Sequence, residues 1–275
     1  MRTLTRVVSL ANPISQLCSQ AQFEEPVFME WMGELNLPRR YWRKQWEFAY
    51  ICQTLANADM LENGRSALGF GVGTEPLPAL FASYGVKVVA TDQKTGGTWA
   101  RTGQFSGGIH DLPYESICSA NDFYNHVTHQ AADMNNIPAD LRQGEFDFVW
   151  STNSLDHLGS IENGLAFIEA SLDCLKPGGL AIHTTEFNLD SNSDTIKTGE
   201  IVLFRECDIK GLAGKLTKAG HGIAVNLERG NDPYDLIVDK PPYDFSNPDS
   251  LHIRLIVGGY TITAVGLIIR KGGAQ

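Results

Sequence analysis

ALGFGVGTEPLPALFASYGVKVVATD, residues 67–92, decides the fold. A short apolar lead-in meets Gly69, Gly71 and Gly73. A helix is expected from Thr74-Glu75-Pro76 to a stop at Gly85, and a second apolar run, residues 86–91, ends on Asp92. Thr74 suits an N-cap and Pro76 a first helical turn. Strand, glycine turn, helix, strand, acid is the first unit of a doubly wound sheet, which takes a nucleoside at the carboxyl ends of its strands. The glycines let backbone approach a ligand, and Asp92 stands where a carboxylate accepts protons from both ribose hydroxyls.

A dinucleotide site wants G-x-G-x-x-G, its third glycine packing helix on strand beside a pyrophosphate. Counting from Gly69 that position is Thr74, and from Gly71 it is Pro76, so neither frame fits. Read from Gly71, the distance to Asp92 resembles the class I S-adenosylmethionine-dependent methyltransferases, whose glycine loop touches an amino acid moiety rather than phosphates. The chain departs from that family's loop twice. Gly69 stands where an acid is common, and Glu75 where the last glycine is expected. Glu75 reads either as a displaced carboxylate facing the ammonium of the methionine part, or as a first-turn acid favoured by the helix dipole.

Further segments continue the resemblance in order. Residues 127–132 read as a strand leading to Asp133 and Met134; in the family an acid here binds the adenine amino group and the next, apolar residue covers the ring. Residues 145–151 (EFDFVWS) read as an apolar strand, with Leu155-Asp156-His157-Leu158 on the following helix. Residues 172–182 (LDCLKPGGLAI) read as a helix end, a Lys-Pro-Gly-Gly turn and a fifth strand. Residues 251–257 and 261–269 flank Gly258-Gly259 as a closing antiparallel pair. The fold implied is α/β: a doubly wound, mostly parallel, Rossmann-like sheet of seven strands with a C-terminal antiparallel pair. Residues 1–60 are expected as an N-terminal helical cap on a methyltransferase domain at 61–275.

At 275 residues the chain suffices for one sizeable α/β domain. A net charge of −10 argues against a nucleic-acid partner, which needs a basic face. The dense basic cluster is Arg39, Arg40, Arg43 and Lys44. Five cysteines show no paired spacing, so Cys52 and Cys174 read as buried free thiols. No apolar run is long enough to span a membrane, and residues 1–11 are too short and polar for a secretion signal; a cytoplasmic enzyme is expected.

Three segments outside the shared core decide the acceptor. In residues 25–56, Phe28, Trp31, Met32 and Leu35 recur at helical spacing, Pro38 interrupts, and a second helix resumes at residue 41. The family's N-terminal helix folds over the cofactor, which places Arg43 or Lys44 at the methionine carboxylate and Trp42 or Trp46 beside the sulfonium, where an aromatic face favours a cation. The other reading of the same helix is amphipathic packing with solvated cations. Residues 93–121, with Trp99, line the adenosine side as a loop and short helix. Residues 184–250 hold a helix at 207–219 between surface loops, with Tyr234, Tyr243 and His252 as acceptor contacts.

Methyl transfer from a sulfonium is an in-line displacement, so the protein must align the acceptor and, for an alcohol, remove its proton. Ser151, Asn153, Asp156, His157, His183, Thr185 and Glu186 follow strands four and five, where the fold places its ligands. Asp156, His157 and His183 are the catalytic candidates, with either histidine as base. Asp156, His157 and Glu186 would together hold a divalent cation such as magnesium. The expected cofactor contacts are Arg43, Trp46, Gly69, Gly71, Gly73, Glu75, Asp92, Trp99, Asp133, Met134 and Ser151. The runs at Gly71, Ser154 and His183 look most like a bacterial subgroup associated with surface-glycan assembly. That resemblance implies O-methylation of a sugar hydroxyl on a small-molecule or glycan acceptor. A natural-product O- or N-methyltransferase, an NAD-dependent oxidoreductase and a non-catalytic nucleoside-binding module are the competing readings.

Overall fold

The computed structural model describes residues 8–96, 100–101, 103–112 and 115–273; Trp99 lies outside them. The chain opens with β1 (Ser15–Leu17), α1 (Gln20–Glu24), α2 (Pro26–Glu34) and α3 (Arg43–Ala56). The quoted stretch follows as β2 (Ser66–Phe70), α4 (Leu77–Ser83) and β3 (Lys87–Asp92). Then come α5 (Ala120–His126), β4 (Val127–Ala131), β5 (Phe146–Thr152), α6 (Ile161–Ser171) and β6 (Leu175–Asn188). The chain closes with α7 (Glu206–Lys218), β7 (Gly222–Ile223), β8 (Val225–Asn226), β9 (Val238–Asp239), β10 (Arg254–Val257) and β11 (Tyr260–Arg270).

The sheet runs β4-β3-β2-β5-β6-β11-β1-β8, parallel from β4 through β6, with β11 antiparallel to β6. Strand order reverses between β2 and β5, so a crevice forms at their carboxyl ends. The expected hairpin is β10–β11, joined across Val257↔Tyr260. Eleven strands are found among the described residues rather than seven. The extra ones are β1, β7, β8 and β9: β1 and β7 join β10 along the outer edge of the long β11, while β8 pairs β1 and β9 pairs β10. An edge of that length left bare would template aggregation. The segment read as a helical cap thus also contributes β1 to the sheet.

Alternation along the strands makes the layers. Ala67, Phe148, Trp150, Leu180 and Ile182 face α2, α3 and α4; Leu68, Val149 and Ala181 face α6 and α7. Each large buried side chain here contributes roughly 1.5–3 kcal/mol. α3 lies hard against β11, where a Cβ on Gly266 would come within 2.2 Å of the Tyr50 ring. Tyr50 also donates to the Ile14 carbonyl at 2.7 Å and stacks on Trp46.

Three local expectations change. The helix after the glycine turn begins at Leu77, with Pro76 as its cap residue, because Thr74 turns its hydroxyl to the Gly103 carbonyl at 2.9 Å. Asp156 and His157 sit on a 3₁₀ turn, Leu155–His157, and α6 starts afresh under the Ser160 cap. Lys176–Gly179 is not a turn before a strand but part of β6. The register pairs Phe146↔Leu175 and Phe148↔Leu180 leave those four residues looped out opposite Asp147.

Candidate functional site

The crevice is built first from backbone. Gly71 and Gly73 take left-handed φ values of 59° and 53°, and a Cβ on either would collide, with Ser154 Oγ at 2.8 Å and the Gln104 carbonyl at 2.4 Å. Asp92, 8% exposed at the end of β3, accepts from the backbone N–H of Gln93 (2.7 Å), Ser106 (3.1 Å) and Gly73 (3.2 Å). Burial pushes its pKa up against those three donors. Met134 is buried, its Sδ 3.4 Å from the position of a Gly71 Cβ; Asp133 beside it is exposed on the rim and accepts from Asn135 N at 2.8 Å. The structure brings Gly73 to Asp92 and Met134 to Gly71, with Asp133 next in chain to Met134.

Glu75 is buried behind the turn and accepts from Trp150 Nε1 at 2.7 Å. Desolvation raises its pKa to about 7, against the pull of Lys44 and the indole N–H. Gly69 serves that indole: a Cβ there would meet Trp150 at 2.4 Å, so its missing side chain admits a packing partner rather than a ligand.

At the ends of β5 and β6, α3 delivers charge. Arg43 engages Glu186 through Nε (3.3 Å) and in a close Nη2–Oε1 ion pair. Asn153, in a left-handed conformation at φ 49°, donates to the same carboxylate at 3.3 Å. Lys44 donates to the Thr152 carbonyl at 3.3 Å and lies 3.6 Å from Glu47. Asp156 is fully enclosed, 3.1 Å from His157 Nε2, and its Oδ1 lies 3.4 Å from the Thr185 hydroxyl. Desolvation lifts the Asp156 pKa to about 7, while His157 holds it back. His157 Nδ1 faces the Glu200 carbonyl at 2.8 Å; a carbonyl only accepts, so Nδ1 carries hydrogen and Nε2 points at Asp156.

Several candidates fall away on these facts. His183 is buried with Nδ1 2.9 Å from Ser151 Oγ and Nε2 3.2 Å from Ser171 Oγ, and burial drops its pKa to about 3; it reaches no acceptor. Ser151 spends its hydroxyl on that histidine, away from the crevice. Trp46 is fully enclosed, stacked on Tyr50 with its N–H on Gln22 at 2.7 Å, and shows no face to a sulfonium. Arg43 is taken by Glu186, which leaves Lys44 as the cation of that pair for a ligand. Among the described residues no three His, Cys, Asp or Glu side chains are grouped to hold a metal. Glu186 faces Arg43 and His157 faces Asp156 and Glu200, so the proposed magnesium triad does not assemble. Tyr243 donates to the Ile256 carbonyl, and His252 is buried against Asp239 at 2.8 Å.

Sequence reasoning missed Glu47, now in the centre of this charged group. Its signal was a carboxylate one turn beyond Arg43 and Lys44 in a helix that is otherwise enclosed from Gln45 to Cys52.

Comparison with known proteins gives the family and the fold. A family model described as a methyltransferase domain matches residues 41–221, more than half of the chain. Among solved structures, one from Galdieria sulphuraria, named for sarcosine dimethylglycine methylation, superposes with a TM-score of 0.51 at 14% identity over 83% of this chain and 85% of the other. That likeness is one of fold. The magnesium protoporphyrin IX methyltransferase of Synechocystis PCC 6803, with bound S-adenosylhomocysteine, gives 0.48 at 14% identity over 83% of each chain. No curated protein matches the chain in sequence. No helix among the described residues is long and apolar enough to cross a membrane.

Proposed function

We propose that this chain, which belongs to the methyltransferase-domain family and uses S-adenosylmethionine as its methyl donor, transfers the methyl group to a hydroxyl of a small neutral acceptor, a sugar hydroxyl before others. The observation that carries the acceptor chemistry is Asp156. It is a fully enclosed carboxyl on the turn after β5, its pKa lifted to about 7, 3.1 Å from the partly exposed His157 that lies between it and the surface. A hydroxyl attacks better as its proton leaves, and a base poised near working pH takes that proton most effectively.

In this reading the left-handed turn at Gly71 and Gly73 lies beside the cofactor, Asp92 takes the ribose hydroxyls, Asp133 and Met134 take the adenine, and Glu75 and α3 lie toward the methionine end. When bound, the cofactor supplies an electrophilic methyl group on sulfur and leaves as a neutral thioether. Arg43 and Asn153 hold the Glu186 carboxylate in place, and Asp156 receives the proton. His157, oriented by Glu200, then shares it.

Residues 1–60 act in this reading as a cap over the methionine end, on a catalytic domain at 61–275. The reading carries with it a cytoplasmic enzyme of glycan assembly without nucleic-acid partners. Its test is methyl transfer from labelled cofactor to nucleotide-linked and free sugars. Label on a sugar oxygen, with a rate that rises through pH 7, is expected; label on nitrogen of an amine acceptor alone would replace it with the natural-product N-methyltransferase alternative.

A further inference from the structure

After β3 the chain returns across the glycine turn as residues 103–108. The Thr74 hydroxyl donates to the Gly103 carbonyl at 2.9 Å. The Gln104 carbonyl lies 2.4 Å from where a Gly73 Cβ would stand, so the segment rests directly on the turn. Ser106, 0% exposed, donates its backbone N–H to Asp92 Oδ2 at 3.1 Å. On the outer side the exposed Asp111 anchors the same segment, its Oδ2 accepting from Gly107 N at 2.7 Å. Gly73 and Asp92 are both buried beneath it. A carboxylate offers about four acceptor positions. At Asp92 three are taken, on Oδ2 by Gly73 and Ser106 and on Oδ1 by Gln93. The Gly73 and Gln93 bonds come from the glycine turn and the end of β3; the Ser106 bond is brought by the covering segment. A single position is left where two ribose hydroxyls would each need an acceptor.

We propose that residues 103–108 form an autoinhibitory gate, in which the Ser106 N–H occupies the place of a ribose hydroxyl on Asp92 and a nucleoside enters only as the segment lifts. The proposal rests on the reading of Asp92 as the ribose acceptor. Lifting gives up the Thr74 and Ser106 hydrogen bonds, and incoming hydroxyls replace the second of them on the same oxygen. Apparent affinity is the intrinsic affinity reduced by the fraction of molecules that are open. One neutral hydrogen bond shifts such an equilibrium by about 2- to 10-fold, so cutting a tie of the closed segment raises affinity by that factor.

Two measurements on the full chain test the gate. S-adenosylhomocysteine is titrated calorimetrically into wild type, Thr74→Val and Asp111→Ala, the last of which loosens the segment from its outer side. Amide hydrogen exchange of Ser106 is then followed with and without saturating S-adenosylhomocysteine. The expected result is affinity raised about 2- to 10-fold in both variants, together with Ser106 exchange that speeds up on the order of 10-fold when the ligand is added. Binding seen in the variants alone supports the gate as well. Unchanged or weakened affinity in Asp111→Ala, or a Ser106 amide that the ligand leaves unchanged or slows, makes the segment a fixed wall and overturns the gate while the cofactor site stands. Absence of binding to wild type and to both variants overturns the placement of the cofactor site itself, and the gate with it.

Discussion

If Asp156 is the base proposed above, it ties catalysis to stability with opposite signs. Its folded pKa is about 7, while an unfolded Asp titrates at about 3.9. An acid raised in this way holds its proton more tightly in the native state. Its stabilising contribution is therefore fully present below about pH 4, declines as pH rises, and levels off above about pH 7. Three units of difference correspond to about 4 kcal/mol overall, of which about 3 kcal/mol falls between pH 5 and pH 8. Transfer activity should run the other way, rising through pH 7 as the carboxylate forms. Asp156→Asn keeps the volume and removes the ionisation. Urea denaturation of wild type and variant at pH 5 and pH 8 measures the effect. The stability of Asp156→Asn relative to wild type should improve by about 3 kcal/mol on going from pH 5 to pH 8, while turnover falls by roughly 10²- to 10⁴-fold. A stability difference that stays flat with pH would refute the reasoning, because Asp156 would then titrate as an ordinary surface acid.

Other outcomes follow from single side chains. Asp92→Ala removes the acceptor of three backbone N–H groups and should abolish the thermal shift given by S-adenosylhomocysteine; a shift equal to wild type would misplace the site. His183→Ala should lower stability by about 1–3 kcal/mol in denaturant titration through its two serine partners, yet leave the midpoint of the pH–rate profile in place; a moved midpoint would restore it as a base. Gly266→Ala should cost about 1–3 kcal/mol of stability, read as a lowered melting temperature, since its Cβ would press on the Tyr50 ring. NAD should give no thermal shift where S-adenosylhomocysteine does; the reverse would favour the oxidoreductase reading.

The backbone arrangement of the expected nucleoside contacts was legible because it is local in sequence. Gly71, Gly73 and Asp92 lie within one β-α-β unit, and their positions follow from backbone sterics and strand order. Asp133 and Met134 were legible for the same reason, each standing just past a strand end. The charged half depends on α3 crossing to β5 and β6, and no local period records which of Arg43, Lys44 and Glu47 meets which partner. Arg43 therefore was assigned to the ligand when Glu186, 143 residues away, already holds it. His183 looked like a base because a strand end and an imidazole are visible in sequence, whereas Ser171 on α6 and Ser151 on β5, which enclose it, are not. Strands of two or three residues such as β1 and β7 carry no alternation to read, and both pair along the long β11.

The claim that this crevice binds S-adenosylmethionine through Gly71, Gly73 and Asp92 is tested most directly by calorimetric titration of S-adenosylhomocysteine into wild type and Asp92→Ala, with and without magnesium. Micromolar, one-to-one binding to wild type that magnesium leaves unchanged and Asp92→Ala loses is the predicted result. Absence of binding to wild type, or equal binding to the variant, would contradict it.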